Sequence, residues 1–193
     1  MRLKVGQQAP AFVAQDLSGR PVALADYRGK TLLLSFYRMA ACPLCNVRTF
    51  LLINRYPTYQ RRGVHMVAFF ESSPAYAHRY LIRLRAPFPL VVDPMRTTYG
   101  LYGLETSWFG AAYARLFRGA VYREASRRHL GTVFLDYLLR REGHFARLPA
   151  EFVIGPDSRV RAAYYGRDAG DFMLFSELDR YLLGAYGTPS AGA

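Results

Sequence analysis

The chain has 193 residues, 51% of them hydrophobic and 21% charged, which fits one soluble globular domain long enough for a full core. No run of about 18 apolar residues occurs, so no membrane-spanning helix is expected. The formal net charge is +12, but the excess is spread along the chain and nearly all arginine, Lys4 and Lys30 being the only lysines. No DNA- or RNA-recognition motif accompanies it, so nucleic acid is an unlikely partner.

The opening MRLKVGQQAPAF lacks the apolar stretch of a secretory signal, which makes the cytoplasm the expected compartment. Residues 11–25 read as two short extended segments around a Ser18-Gly19 turn. Thr31 to Phe36 (TLLLSF) is almost continuously apolar, as a strand covered on both faces should be. A short turn then leads to Cys42-Pro-Leu-Cys45 at the start of an apolar helix carrying Val47, Phe50, Leu51, Leu52 and Ile53. That helix is expected to be buried round most of its circumference and to kink or end at Pro57.

These are the only two cysteines, and random placement would put them three apart only about 1% of the time. On a first helical turn that spacing brings both sulfurs to one side, within reach of a disulfide. The helix N-terminus favours thiolate over thiol, and Arg38 and Arg48 could push the same way. A structural bridge this short removes little loop entropy. A zinc site would need two more ligands, yet His65, His78, His129 and His144 are scattered singly. In a reducing compartment the pair reads as a redox centre, with inert buried cysteines as the bland alternative.

Gly63 breaks the chain before a second core strand, Val64 to Phe70, and Ser73-Pro74 starts a helix with Ser73 as cap. Ala77, Tyr80, Leu81 and Leu84 form its apolar stripe, while His78, Arg79 and Arg83 face solvent. FPLVVD is a third strand, and 97–104 a short helix broken by glycines. EFVIGPDSRVRAAYY is a hairpin around 155–158, and Asp171 is expected to cap a last helix with Phe172, Phe175, Leu178 and Leu182 inward, ending at Gly184. The tail 187–193 is expected to be disordered.

Residues 105–147 break the alternation with two helical stripes, Phe109, Ala112, Tyr113, Leu116 and then Val133, Phe134, Tyr137, Leu138. This insert is a candidate cover for a sheet edge or seam of a homodimer. A sharper reading makes it a lid beside the cysteines, walled by Trp108, Phe109 and Phe117; a membrane-surface role is a third. The organisation is therefore a single domain over 1–186 with the insert at 105–147.

The order strand, C-x-x-C helix, strand, helix, strand, hairpin, helix resembles the thioredoxin fold, an α/β class with a central mixed sheet flanked by helices. More narrowly, GQQAPAFVAQDLSGRPVALADYRGKTLLLSFYR, FFESSPAYAHRY, FPLVVDP and LPAEFVIGPDSRVRAAYYG resemble the AhpC/TSA redoxin group, its peroxiredoxin-like branch. The resemblance implies that Cys42 attacks, that Cys45, more buried, resolves, and that Pro149 stands where such folds place a cis-proline. An ordinary trans proline before a strand suits Pro149 equally well. Three departures matter, the first being Ser35 where the family has a proline. Met39 occupies the position of the hydroxyl that orients a peroxide, and Pro149 that of the arginine that holds the thiolate, with Arg147 two residues away and Arg38 the other candidate substitute.

The resemblance thus implies a thiol oxidoreductase acting on a hydroperoxide or a disulfide and regenerated by an external thiol reductant such as a thioredoxin-like protein. It implies no metal or organic cofactor. Two alternatives stay open: a protein disulfide oxidoreductase without peroxidase activity, and a non-catalytic redoxin-fold binding or sensing module.

Overall fold

The computed structural model describes residues 1–117, 119, 120, 123 and 142–184. Its centre is a seven-stranded mixed sheet, ordered β2-β1-β5-β4-β3-β6-β7. The strands are β1 (Val13–Asp16), β2 (Pro21–Ala23), β3 (Thr31–Phe36), β4 (Val64–Phe70), β5 (Leu90–Val92), β6 (Ala150–Ile154) and β7 (Val160–Tyr165). The apolar strand expected to be covered on both faces, β3, pairs in parallel with β4, and β4 with β5, at the middle; the hairpins β1–β2 and β6–β7 join antiparallel outside them.

Period-two alternation along β3 divides the core. Leu32, Leu34 and Phe36 face an aromatic layer in which Phe36 stacks on Phe69 at 4.9 Å between ring centroids and Phe12 meets Phe69 edge-on at 5.1 Å. Leu33 and Tyr37 face the other way, into the cluster that contains both cysteines, Leu52, Met66, Phe70, Leu81 and Leu178. The second face is covered by α1 (Pro43–Gln60), α2 (Pro74–Leu81) and the last helix, α5 (Phe175–Leu183); α3 (Thr97–Leu101) and α4 (Trp108–Phe117) precede α5 in the chain.

Several local expectations are corrected. Helix α1 continues through Pro57 to Gln60, and the Pro57 carbonyl still accepts from Arg61 N at 3.3 Å, so the one missing donor does not end the helix. Of its expected apolar face only Leu52 is fully buried, while Leu51 is exposed; Asn46, Arg48 and Thr49 are buried beside Leu44, Cys45, Tyr56 and Tyr59. Ser73 stands at the N-cap of α2 but its hydroxyl serves Glu142, 2.7 Å away. The final helix begins at Phe175 with Leu174 as N-cap, three residues later than expected, because Asp171 is taken by the Tyr164 hydroxyl (2.7 Å) and the Arg167 backbone N–H (2.9 Å). Helix α4 packs through its small residues, Ala111 and Ala114, and at Gly110 a Cβ would lie 2.6 Å from the Arg167 carbonyl. Its expected stripe points outward: Phe109, Tyr113 and Leu116 are all exposed. The second expected insert stripe and the 187–193 tail lie outside the described residues.

Candidate active site

The centre forms where β3 ends. Tyr37 N donates to the Phe69 carbonyl (2.9 Å) and Glu71 N to that of Arg38 (3.1 Å), which keeps 37–38 in register with the end of β4. The chain then turns. Ala40 N donates to Ser72 Oγ (2.9 Å), Asn46 Nδ2 to the Ala40 carbonyl (2.9 Å), and Cys42 N to the Met39 carbonyl (3.0 Å). Cys42 is thereby the extended N-cap of α1, with Pro43 preset at the first helical position. Its sulfur accepts the otherwise orphaned N–H of Cys45 at 3.4 Å.

The Cys45 thiol donates to the Cys42 sulfur over 2.7 Å, which brings the two sulfurs within reach of a disulfide. Burial opposes ionisation of Cys42. The hydrogen bonds from Cys45 and the charge and hydrogen bond of Arg38 outweigh it and bring the Cys42 pKa down to about 6. For Cys45, burial and the donation to Cys42 push the pKa up. The two thiols are thus driven apart in acidity, one toward thiolate and one toward proton donor.

Arg38 is wholly buried. Its Nη1 donates to the Phe145 carbonyl at 2.8 Å, and its guanidinium lies 5.2 Å from the centroid of the Phe145 ring. Arg48, expected to share this task, is occupied elsewhere. It makes a two-pronged ion pair with fully buried Glu151 (2.9 and 2.8 Å) and donates to the Met173 carbonyl (2.9 Å), tying α1 to β6 and the approach to α5. Arg147 is likewise committed, donating to Glu71 at 2.7 Å and to the Leu104 carbonyl at 3.2 Å. Of the three arginines considered, Arg38 is the one turned to the Cys42 sulfur.

Pro149 is buried immediately before β6, with its carbonyl accepting from Gly166 N at 2.9 Å. The Leu148–Pro149 bond is trans, which corrects the cis alternative: an extended entry into β6 is reached without a cis bond. Met39 is fully buried and offers a thioether where a hydroxyl would be needed. Cys42 and Cys45 are both 0% exposed, so Cys45 is not the more buried of the two. Neither sulfur is open to solvent in this structure.

A strap, residues 142–148, packs beside the site on its return from the insert. It passes so close that a Cβ on Gly143 (φ +73°) would fall on the Glu71 carbonyl and 3.0 Å from Met39 Cβ. This position demands glycine on both counts. Trp108 reaches the strap by stacking on Phe145 (6.3 Å), whereas Phe117 is exposed and Phe109 lines a separate cavity with Tyr113, Leu116 and Arg167 that includes neither cysteine. A shallow apolar groove of about 220 Å³ adjoins the first turns of α1, lined by Leu44, Val47, Leu51, Phe172 and Phe175 among others. Sequence reasoning missed Glu151 and Phe145. Glu151 was legible as a carboxylate inside an apolar strand; nothing local marked Phe145.

Comparison with known proteins agrees with this architecture. A Mycobacterium tuberculosis (strain H37Rv) protein assigned as a peroxiredoxin is 29% identical over 150 residues, 76% of this chain and 93% of that one. The thiol-disulfide oxidoreductase ResA of Geobacillus thermodenitrificans is 30% identical over 136 residues, 67% of this chain and 78% of that one. Among solved structures, peroxidoxin BcpB of M. tuberculosis superposes with a TM-score of 0.67 at 16% identity, covering 98% of this chain and all of that one. A Chlorobium tepidum protein assigned as thiol:disulfide interchange protein DsbE gives 0.63 at 21% identity, covering 96% and 99%. These two likenesses speak to the fold, which is thioredoxin-like. The AhpC/TSA family profile matches residues 5–163, and with that span the chain belongs to the AhpC/TSA family.

Proposed function

We propose that this protein is a thiol-dependent oxidoreductase whose Cys42 attacks and whose Cys45 resolves, cycling between a dithiol and a Cys42–Cys45 disulfide. The observation that carries the reading is the 2.7 Å sulfur–sulfur approach at a helix N-terminus, beside the Arg38 guanidinium. Relatives named peroxiredoxin and thiol-disulfide oxidoreductase support the enzyme class.

The reading favoured for the oxidant is a disulfide. Cys42 thiolate attacks one sulfur of the substrate disulfide and the other sulfur leaves as thiolate, giving a mixed disulfide. Cys45, losing its proton, then attacks Cys42 and expels the second substrate thiol. The substrate gains two electrons from the protein; of the two protons it takes up, one comes from Cys45 and the other from solvent. Met39 in place of a hydroxyl, and Arg147 held by Glu71, favour this route over a peroxide. The second reading, a hydroperoxide, is favoured by the relative assigned as a peroxiredoxin. There Cys42 takes the terminal oxygen, the alcohol leaves, and Cys45 condenses with the sulfenic acid to release water.

Both routes need an external thiol reductant to reopen the bridge. A cytoplasmic setting belongs to the same proposal, since a reducing compartment keeps such a pair turning over. Insulin disulfide reduction against peroxide-driven thiol consumption separates the routes. In Cys45→Ser the disulfide route traps a mixed disulfide and the peroxide route a dimedone-reactive sulfenate. A protein inert in both assays, with no trapped species, would be a non-catalytic module and would overturn the proposal.

A further inference from the structure

The buried cation of the site is held from outside the segment that carries the cysteines. Arg38 lies in the β3–α1 turn, while its Nη1 donates to the carbonyl of Phe145, 107 residues on, at 2.8 Å. The same residue's ring meets the guanidinium at 5.2 Å from its centroid, a cation–π distance. Two contacts from one residue, one in the backbone and one on the ring face, restrict both the position and the tilt of a planar group.

We infer that Phe145 is a positioning residue of the redox centre, its carbonyl and ring fixing the Arg38 guanidinium against the Cys42 sulfur. The inference rests on the reading of Cys42 as the attacking thiolate. Phe145 is itself braced. Trp108 stacks on it at 6.3 Å with rings 28° apart, and Trp108 is the only tryptophan in the chain. A line of contacts thus runs from the 65%-exposed Trp108 on α4 through Phe145 and Arg38 to the sulfur. The other charged groups packed here have partners of their own. Glu71 is bound by Arg147 (2.7 Å) and approached by Arg96 (3.8 Å), and Glu142 accepts from Ser73 N (2.9 Å) and Oγ (2.7 Å). His144 Nδ1 accepts from Ala146 N at 3.2 Å, and its ring lies against Trp108. The ring and carbonyl of Phe145 are therefore the means by which the strap addresses Arg38.

The test titrates the ultraviolet thiolate absorbance of the reduced full-length protein, as the difference from Cys42→Ser, together with Trp108 fluorescence. Arg38→Met is expected to raise the thiolate midpoint by about one pH unit, and Phe145→Ala and Phe145→Leu by about half a unit. Phe145→Tyr keeps the ring and is expected to restore the wild-type midpoint; a merely structural role would not produce that rescue at matched melting temperatures. The leucine variant keeps apolar bulk should the alanine variant fail to fold. In the unaltered protein, Trp108 fluorescence is expected to step at the same midpoint as the thiolate, because protonating Cys42 releases Arg38 from one of its partners. A raised midpoint in Arg38→Met with an unchanged one in the folded Phe145 variants overturns this inference alone. No fluorescence step overturns it as well, even if no Phe145 variant folds. An unchanged midpoint in Arg38→Met defeats both this inference and the proposed activation of Cys42.

Discussion

Two buried arginines flank the start of α1 and have opposite employments. Arg48 is fully matched: Glu151 takes both prongs of its guanidinium, and the Phe175 ring lies 4.1 Å from it. Burial works against its charge, but Glu151 more than offsets this and its pKa is raised. The pair also holds the backbone near α5, where Met173 N donates to Glu151 at 3.0 Å. Arg38 instead lends its charge to a sulfur, with Phe145 as its support. A buried cation matched by a carboxylate is costly to unpair; one directed at a cysteine favours its thiolate.

The comparison predicts separable effects. The largest loss of stability is expected from Glu151→Ala, which leaves Arg48 buried and unmatched at a cost of about 3–5 kcal/mol. The melting temperature should fall by roughly 10 °C, while the Cys42 thiolate midpoint of the folded protein stays near its original value. Arg38→Met should do the reverse. Thiolate at the wild-type midpoint falls by several-fold and thiol-exchange rates near neutral pH drop with it, with a smaller change in melting temperature; an unchanged rate would erase the distinction between the two arginines.

The pH dependence of stability sharpens the same contrast. The folded Cys42 pKa lies below its unfolded value, so its contribution to stability is full above the unfolded pKa and is lost as pH falls through about 6. Denaturant melts of the reduced protein against Cys42→Ser should therefore diverge as pH rises from about 6 toward 9. A constant difference across that window would contradict the assignment of thiolate to the native state. The smallest effect is expected at the surface. Arg2→Ala breaks a half-exposed pair with Glu105 (2.8 Å) and should cost less than about 1 kcal/mol, a control for the cost of breaking the buried one.

The strands, the dithiol turn and the family were legible because each is written in local pattern: continuous apolar runs for β3 and β4, a two-cysteine spacing, a proline at a helix start. The exposed stripe of α4 was misread because a helical period says which residues share a face, not whether the sheet takes that face or the opposite one bearing Ala111 and Ala114. Arg38 and Arg48 looked interchangeable in sequence, since what distinguishes them, Glu151 and Phe145, lies more than a hundred residues away. The burial of both sulfurs was likewise invisible, because the cluster that encloses them is assembled from β3, α1, α2 and the last helix only in the tertiary fold.

The most direct test of the account is peptide-mapped mass spectrometry of the reduced protein after one equivalent of oxidant. A Cys42–Cys45 disulfide, seen as the loss of two hydrogen atoms, reversed by a thiol reductant and absent in Cys45→Ser, is the predicted result. Two intact thiols after the oxidant has been consumed, or oxidation confined to methionine, would contradict it.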